Sequence, residues 1–355
     1  MMKINELLTL AAEKNASDLH LSPNIAPCLR VDGELVFTET TALNAESCKD
    51  LCYSILTEEQ KTRFENFKEL DFSYGIPGVG RFRVNYYYQR GSISGAFRLI
   101  LTETPNFQEL GLPIPVMQKF CSLSRGFILA TGATGSGKST TLAAMINQIN
   151  ENRKCHIITV EDPIEYLFKH KKSIVNQREL GGDTLSFSEA LKHMLREDPD
   201  VVLVGEMRDL ETVSSALKLA ETGHLVLSTL HCGEAVESIN RIIDIFPTNQ
   251  QQQTRVQLSL TLYGVISQQL LPRMDGKGRV LATEVMVVTP AIRNLIRENK
   301  PQEIVSHLQM GLNLGMETMN RSLLRLYRKK EISLETAINA SSNPKELEEL
   351  INRKT

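Results

Sequence analysis

The segment GATGSGKS at residues 132–139 matches the pattern G-x-x-x-x-G-K-S, and Thr140 follows it. Glycines in such a loop let backbone N–H groups converge on phosphate oxygens, and the helix that follows adds a favourable positive potential. Lys138 would reach the β- and γ-phosphates of ATP, and the hydroxyl of Ser139 would ligate Mg²⁺. A plain glycine-rich turn between a strand and a helix is the alternative. The expected ATP-binding residues are Gly132, Ala133, Thr134, Gly135, Ser136, Gly137, Lys138, Ser139 and Thr140.

Two acidic groups follow short apolar runs farther along the chain. Glu206 comes after VVLV and Gly205, and the trio Glu161, Asp162 and Glu165 follows HIITV. In a parallel α/β sheet, ligands lie outside the carboxyl ends of the strands, so both groups are expected beside the nucleotide. We expect Glu206 to orient or deprotonate the attacking water; the alternative is an acid that stabilises a helix N-terminus. The trio would hold Mg²⁺ through water or support its ligands; the alternative is a solvated acidic loop.

Two histidines flank a further apolar run, LVLSTL. His231 follows this run, where it would sense the γ-phosphate or bridge to Glu206. His224 precedes the run, and we expect it to act at the same edge of the sheet. The alternative for each is a structural histidine.

Three arginines lie on two neighbouring runs near the N-terminus. Arg81 and Arg83 share one face of a strand, and Arg98 lies on the next run. No partner carboxylate is evident for them in the sequence. A guanidinium pairs well with phosphate, so these arginines would complete the nucleotide site of another subunit. The alternative is a solvated cationic sheet face.

The elements that carry these arginines are predicted to form a small α+β unit. Two short runs around Asp32-Gly33 indicate a β-hairpin, because glycine tolerates the positive φ of a tight turn. Residues 45–69 are predicted to be helical. Alternating runs at 70–74, 81–88 and 95–101 favour an antiparallel meander. The proline-containing stretch 102–117 is the predicted linker.

Beyond residue 118 the pattern changes to continuous apolar runs that alternate with helical segments. The runs at 127–130, 156–160, 201–204 and 225–227 indicate a parallel sheet with both faces covered, which makes this part α/β. Residues 244–355 are predicted to be mostly helical. The expected domains are therefore 1–101 and 118–355, with the linker 102–117 between them.

Composition excludes several classes of protein. The 355 residues are 41% hydrophobic and 23% charged, which excludes a disordered or collagen-like chain. Forty basic and 42 acidic residues give a formal charge of −2, so we expect no nucleic-acid partner. No apolar run approaches the roughly 18–20 residues that span a bilayer, and no signal peptide is evident. We expect a cytoplasmic protein whose six scattered cysteines are reduced.

Several longer motifs resemble those of the secretion-type hexameric ATPases, and within them the type IV pilus retraction ATPases. The similarity extends over nearly the whole chain and is weakest in residues 318–355. The motifs are SDLHLSP and RVDG near the start, RFRVN at 81–85, GATGSGKSTTLAAM at 132–145, ITVEDPIEY at 158–166, LREDPDVVLVGEMRDLET at 195–212, AETGHLVLSTLH at 220–231 and AIRNLIRE at 291–298.

The resemblance implies a fold and a set of roles. The fold is a PAS-like N-terminal domain followed by a RecA-like P-loop ATPase domain with a helical C-terminal region, and six copies form a homohexameric ring. ATP turnover would drive pilin removal and twitching motility at the inner-membrane base of the pilus, in contact with a pilus platform protein. The implied roles are Walker A for Lys138 and Ser139, an aspartate box for Glu161, Asp162 and Glu165, the catalytic Walker B glutamate for Glu206, a histidine box for His224 and His231, and completion of the site by Arg83 and Arg98.

Two departures from this pattern and two competing functions remain. Ala133 replaces a common proline, and Gly205 stands where many P-loop enzymes have an aspartate. A pilus-extension or type II secretion ATPase is the nearest alternative, but the chain lacks the tetracysteine insertion and the long N-terminal extension typical of those proteins. A nucleic-acid translocase is the alternative from another class. The segment AIRNLIRE would mark a retraction ATPase or form an ordinary amphipathic docking helix.

Overall fold

The computed structural model describes residues 2–31, 33–100 and 103–353 and contains two compact units. The first unit comprises Met1–Glu103 together with Pro163–Leu167, and the second comprises Thr104–Asp162 together with Phe168–Thr355. Asp32, Leu101 and Thr102, on which parts of the predicted turn, strand and linker fall, lie outside the described residues. The domain bounds 1–101, 102–117 and 118–355 stay a prediction.

The first unit is a six-stranded antiparallel sheet whose core is shared with three helices. The strand order is β3-β2-β1-β6-β5-β4. Its strands are β1 Asp18–Leu21, β2 Cys28–Val31, β3 Glu34–Phe37, β4 Glu69–Ile76, β5 Gly80–Gln89 and β6 Ser92–Ile100, and its helices are α1 Ile4–Glu13, α2 Ala45–Tyr53 and α3 Glu58–Phe67.

The predicted hairpin and meander are both present in this sheet. Strands β2 and β3 pair around Gly33, whose φ of +88° suits the tight turn, and β4, β5 and β6 pair in succession. The helical prediction for residues 45–69 is confirmed, and the structure divides this stretch into two helices, Ala45–Tyr53 and Glu58–Phe67. Thr57 caps the second of them by accepting a hydrogen bond from the Gln60 amide, and this cap starts a new helix.

The second unit is a seven-stranded sheet in the order β13-β12-β7-β11-β10-β8-β9. All neighbours are parallel except β12 and β13, which form an antiparallel pair. The strands are β7 Gly126–Thr131, β8 His156–Glu161, β9 Ile174–Glu179, β10 Val201–Val204, β11 Leu225–Leu230, β12 Leu262–Pro272 and β13 Arg279–Val287. The helices are α4 Ile114–Ser122, α5 Lys138–Asn152, α6 Phe187–Met194, α7 Leu210–Glu221, α8 Ala235–Asp244, α9 Thr248–Thr261, α10 Pro290–Arg297, α11 Ile304–Met310, α12 Met319–Arg328, α13 Leu334–Ala340 and α14 Pro344–Asn352.

The four apolar runs are confirmed as strands β7, β8, β10 and β11 of a parallel sheet. The helical C-terminal region is confirmed beyond residue 290, but the sequence reasoning missed β12 and β13 within residues 244–355. Their apolar residues form a second core with helices α12 to α14, among them Leu271, Leu323 and Leu347. Helices α12 to α14, which lie where the resemblance to the family is weakest, therefore pack on the hairpin of β12 and β13.

The sequence analysis also made predictions about the cysteines and about membrane-spanning segments. All six cysteines are free, as expected for reduced thiols. Among the described residues, every helix is too short or too polar to span a lipid bilayer.

Candidate functional site

The phosphate loop lies between a fully buried strand and a long helix of the second unit. Strand β7 is buried along its whole length, and α5 starts at Lys138. Gly132, Gly135 and Gly137 have φ values of +142°, +76° and +91°, which side chains other than hydrogen rarely allow. A Cβ on Gly132 would also collide with the backbone oxygen of Gln268. The loop conformation therefore requires glycine at the spacing that the sequence shows.

The interior of this loop has the donors that a triphosphate needs. The buried ammonium of Lys138 donates to the carbonyls of Gly132 and Ala133, each at 2.9 Å. The Ser136 hydroxyl is buried and has no hydrogen-bond partner among the described residues. Among the residues that the structure describes, no side chain caps α5, so its positive N-terminus can face an anion. These features fit a nucleotide with its phosphates at residues 132–140.

Strand order places the other polar groups of the second unit next to this loop. Strand β11 lies between β7 and β10, so the residue after β11, His231, lies between the phosphate loop and Glu206. The strand ends are tied together: the Thr229 hydroxyl donates to the Gly205 carbonyl at 2.6 Å, and the Gly132 amide donates to the Leu230 carbonyl at 3.3 Å. The carboxyl edge of the sheet is thus a connected set of loops.

Glu206 has two side-chain partners. Arg208 Nη2 donates to its Oε2 at 2.8 Å, and His231 Nε2 lies 3.1 Å from its Oε1. The hydrogen bond from Arg208 holds the pKa of Glu206 below its usual range, against the opposing effect of partial burial and with further help from His231. The bridge from His231 to Glu206 is present, and its predicted contact with the γ-phosphate stays a prediction. Arg208 lies two residues after Glu206, but the sequence reasoning missed this pairing.

The neighbouring strand end carries the other acids. Glu161 ends β8 and accepts hydrogen bonds from Thr159 at 2.6 Å and from Gln177 at 3.2 Å. Asp162 is the next residue and contributes to the negative potential at Arg208. A Cβ on Gly205 would lie 3.2 Å from the Val160 carbonyl oxygen, so an aspartate at this position would crowd β8. That crowding gives a physical reason for the departure from the usual Walker B pattern.

His224 does not lie where the sequence reasoning expected. It precedes β11, whereas His231 follows that strand, so the two histidines are at opposite edges of the sheet. Its Nδ1 lies 2.8 Å from the Leu219 carbonyl and 3.1 Å from the Thr222 hydroxyl, at the C-terminal end of α7. The expectation of a shared edge is therefore wrong, because the six residues of β11 separate the two side chains.

In the first unit, Arg81, Arg83 and Arg98 lie on β5 and β6. Arg83 and Arg98 are opposite each other in the register. No partner carboxylate is evident in the sequence, but in the structure Arg98 has one, because its Nε donates to Asp18 at 2.9 Å. Asp18 is 80 positions away in sequence, so only the pairing of β1 with β6 reveals it.

The acid Glu165 belongs to the first unit, because residues Pro163–Leu167 pack with it. These residues and the sheet enclose a cavity of about 280 Å³ in that unit. Its lining includes Arg83, Arg98, Glu165 and Tyr166. The trio of acids is thus divided between the two units, with Glu161 and Asp162 in the second.

The donor set also fits a magnesium ion that arrives with the nucleotide. Among the described residues, no group of three or more His, Cys, Asp and Glu side chains is placed to hold a metal by itself. Mg²⁺ on a nucleotide takes most of its ligands from phosphate and water and needs only one or two from the protein. Ser139, in the first turn of α5, offers such a hydroxyl.

Comparison with known proteins extends these observations to the whole chain. The family model described as type II/IV secretion system protein matches residues 1–337. The chain belongs to this secretion family. It is 48% identical over 336 residues to the type IV pilus retraction ATPase PilT of Pseudomonas aeruginosa, covering 95% of this chain and 97% of that protein. It is 40% identical over 350 residues to the type IV pilus ATPase PilU of the same organism, covering 99% and 91%.

A crystal structure of a related protein is also similar to this chain. The crystal structure of the pilus retraction motor PilT with bound ADP superposes with a TM-score of 0.91 and 53% sequence identity. The match covers 98% of this chain and 100% of that one. The chain therefore has the α/β fold of that pilus retraction motor. This fold contains an antiparallel N-terminal sheet, a parallel sheet and a helical C-terminal region.

Proposed function

We propose that this chain is an ATPase motor that drives type IV pilus retraction and twitching motility. The observation that carries the proposal is similarity over almost the full length to retraction ATPases, combined with an intact phosphate loop and the acid Glu206. The six cysteines are scattered and form no tetracysteine cluster, which agrees with a retraction ATPase. The chain is an ATP hydrolase of the secretion family.

We propose the following residue roles in hydrolysis, which the contacts of the site support. Lys138 and the loop amides hold the β- and γ-phosphates, and Glu206 accepts a hydrogen bond from the attacking water. His231 holds Glu206 on one side, so the carboxylate keeps its direction when the water binds. Ser139 would hold Mg²⁺, and Glu161 and Asp162 would support it through water. When bound, Mg²⁺ would neutralise part of the negative charge of the phosphates.

We further propose that the working form is a homohexamer with nucleotide between subunits. Two adjacent exposed arginines, Arg83 and Arg98, form a strongly cationic pair on the first unit. In the ring they would face the phosphates held by the loop of the neighbouring subunit. Arg81, on the same face of β5, would add its positive charge to that pair. Glu165 would contribute at the edge of the site.

The proposed place of action is the cytoplasmic side of the inner membrane, at the base of the pilus. There the ring would contact the pilus platform protein, and turnover would move one unit against the other. A pilus-extension or type II secretion ATPase is the nearest alternative. A nucleic-acid translocase is the alternative from another class, and stimulation of ATP hydrolysis by DNA would favour it.

Deletion of the gene with complementation tests this function. We expect the deletion strain to accumulate surface pili and to lose twitching, because removal of the motor blocks pilin disassembly. The wild-type chain should restore twitching, whereas Glu206→Gln should bind ATP but fail to complement, since the water-holding carboxylate is gone. Glu211→Gln, on the exposed side of α7, is the control. Loss of surface pili in the deletion strain would instead support an extension ATPase.

A further inference from the structure

A row of charged residues crosses four neighbouring strands of the first unit. In the register, Arg30 is opposite Asp18, Asp18 is opposite Arg98, and Arg98 is opposite Arg83. Residues directly opposite each other in antiparallel strands lie on the same face of the sheet. The row therefore has three guanidinium groups and a single carboxylate on one face.

Asp18 is the buried member of this row. Only 7% of the residue is exposed, and its two carboxylate oxygens have different partners. The Ser17 hydroxyl donates to Oδ2 at 2.8 Å, and Arg98 Nε donates to Oδ1 at 2.9 Å. Arg30, on the other side of Asp18, instead donates from Nη1 to the Gly33 carbonyl at 2.8 Å. The charge of Asp18 is thus directed to Arg98.

This contact holds Arg98 without occupying its outer edge. The Arg98 side chain is 68% exposed, and Nε is the one nitrogen of its guanidinium that bonds to another described residue. Its two terminal Nη groups remain available for a bidentate contact with phosphate. Arg83 is the next residue in the row, so an anion bound beside the two arginines would offset the repulsion between them.

We infer that Asp18 is a positioning residue that fixes Arg98 for contact with the phosphates of a neighbouring subunit. The inference rests on the proposed function, in which Arg98 completes the site in trans. An exposed arginine samples many rotamers, and binding an anion must then freeze them. Anchored through Nε by a buried carboxylate, Arg98 presents its terminal groups in one direction before the nucleotide of the neighbouring subunit arrives.

Steady-state ATP hydrolysis by assembled wild-type protein, Asp18→Asn, Arg98→Gln and the double variant tests this inference. We expect Asp18→Asn to lower kcat about tenfold, with the KM for ATP within about twofold, because the loop of the other subunit still holds the nucleotide. Arg98→Gln should lose more activity than Asp18→Asn. In the double variant kcat should equal that of Arg98→Gln, because Asp18 then has nothing to position.

The matched control is Asp71→Asn, an exposed acid on the same sheet face whose partner is the amide of Asn85. It should keep wild-type kcat. If Asp18→Asn fails to fold, Ser17→Ala removes the other restraint on the carboxylate and should give a smaller kcat loss that disappears in the Arg98→Gln background.

Three results would overturn the inference. Wild-type kcat in folded Asp18→Asn, beside an impaired Arg98→Gln, rejects the role of Asp18 alone. An equal fractional loss from Asp18→Asn in both backgrounds also rejects it and indicates a merely structural carboxylate. Full turnover by Arg98→Gln rejects the role of Arg98 in the proposed function, and the inference with it.

Discussion

Glu206 makes contacts that limit how it can act on water. Arg208 and His231 both contact its carboxylate, and the hydrogen bond from Arg208 lowers its pKa. A carboxylate with a lowered pKa is a weak base, so it is poorly matched to full removal of a proton from water before reaction. We infer that Glu206 orients the attacking water and that the proton of this water is transferred to the phosphate group as it is released.

Replacement of Arg208 should change the pH dependence of turnover. A carboxyl whose pKa is depressed stays ionised as the pH falls and loses its charge only below the ordinary range. In Arg208→Gln the largest lowering cause is absent and partial burial still raises the pKa, so the acid limb of kcat should move to higher pH. The profile of kcat between about pH 3.5 and 6.5, which includes the usual carboxyl pKa of about 4.3, measures this shift. Arg255→Gln, whose guanidinium contacts the neutral Asn299, is the control, and identical acid limbs would contradict the argument.

At the residue scale, the sequence predicted the groups that form one loop or that follow adjacent strands, but it did not predict the pairing of Arg208 with Glu206. The phosphate loop and the pairing of His231 with Glu206 are among the predicted groups. Asp18 and Arg98 are not, because their contact depends on which distant strands pair. His224 was placed at the wrong edge because a residue before a strand and one after it are separated by the full length of that strand.

At the element scale, helix α10 shows how the AIRNLIRE segment is anchored. Its apolar residues Ile292, Leu295 and Ile296 are buried, which confirms the amphipathic pattern. Arg293 Nη1 donates to the carbonyls of Ser259 and Leu260 at 2.9 and 2.7 Å. Arg293 therefore satisfies carbonyl groups at the C-terminal end of α9.

Removal of this arginine should loosen the end of α9. Its guanidinium also lies 4.6 Å from the ring centre of Tyr263. We expect Arg293→Ala to cost about 1–2 kcal/mol locally, from the lost charged hydrogen bonds and the cation–π contact. Hydrogen exchange of amides near residues 259–264 should then accelerate by about tenfold. Arg297→Ala, which loses a bond to Asn294 on its own helix, should leave these amides unchanged, and equal effects of the two variants would contradict the role of Arg293.

The elements that the sequence revealed are those with uniform patterns. Strands β7, β8, β10 and β11 are nearly continuous apolar runs, because both faces of the sheet are covered. Strand β12 was missed because Gly264 and the polar pair Gln268-Gln269 interrupt its apolar run. Gln268 is nevertheless buried, and it donates to Thr141 in the first turn of α5, so the irregularity of the pattern reflects its position beside the phosphate loop.

At the scale of the whole molecule, the proposed catalytic groups divide between the two units. The phosphate loop, Glu206 and His231 belong to the second unit, whereas Arg83 and Arg98 belong to the first. A nearly neutral overall charge gives no sign of where subunits meet, because interfaces depend on local surface charge. The ring was therefore predicted from family resemblance alone, and a test of shared sites must combine subunits with different lesions.

Mixing Arg83→Ala subunits with Lys138→Ala subunits tests whether sites are shared. In a head-to-tail ring at equal mixing, half of the loops retain Lys138 and half of their neighbours retain Arg83, so about one quarter of wild-type turnover should return. Wild-type subunits mixed with the double variant should also reach about one quarter, by the same product. Sites completed within one subunit would instead give no recovery in the first mixture and about one half in the second. Labelled subunits report exchange, and ATP hydrolysis in the two exchanged mixtures therefore decides between a shared site and an independent one.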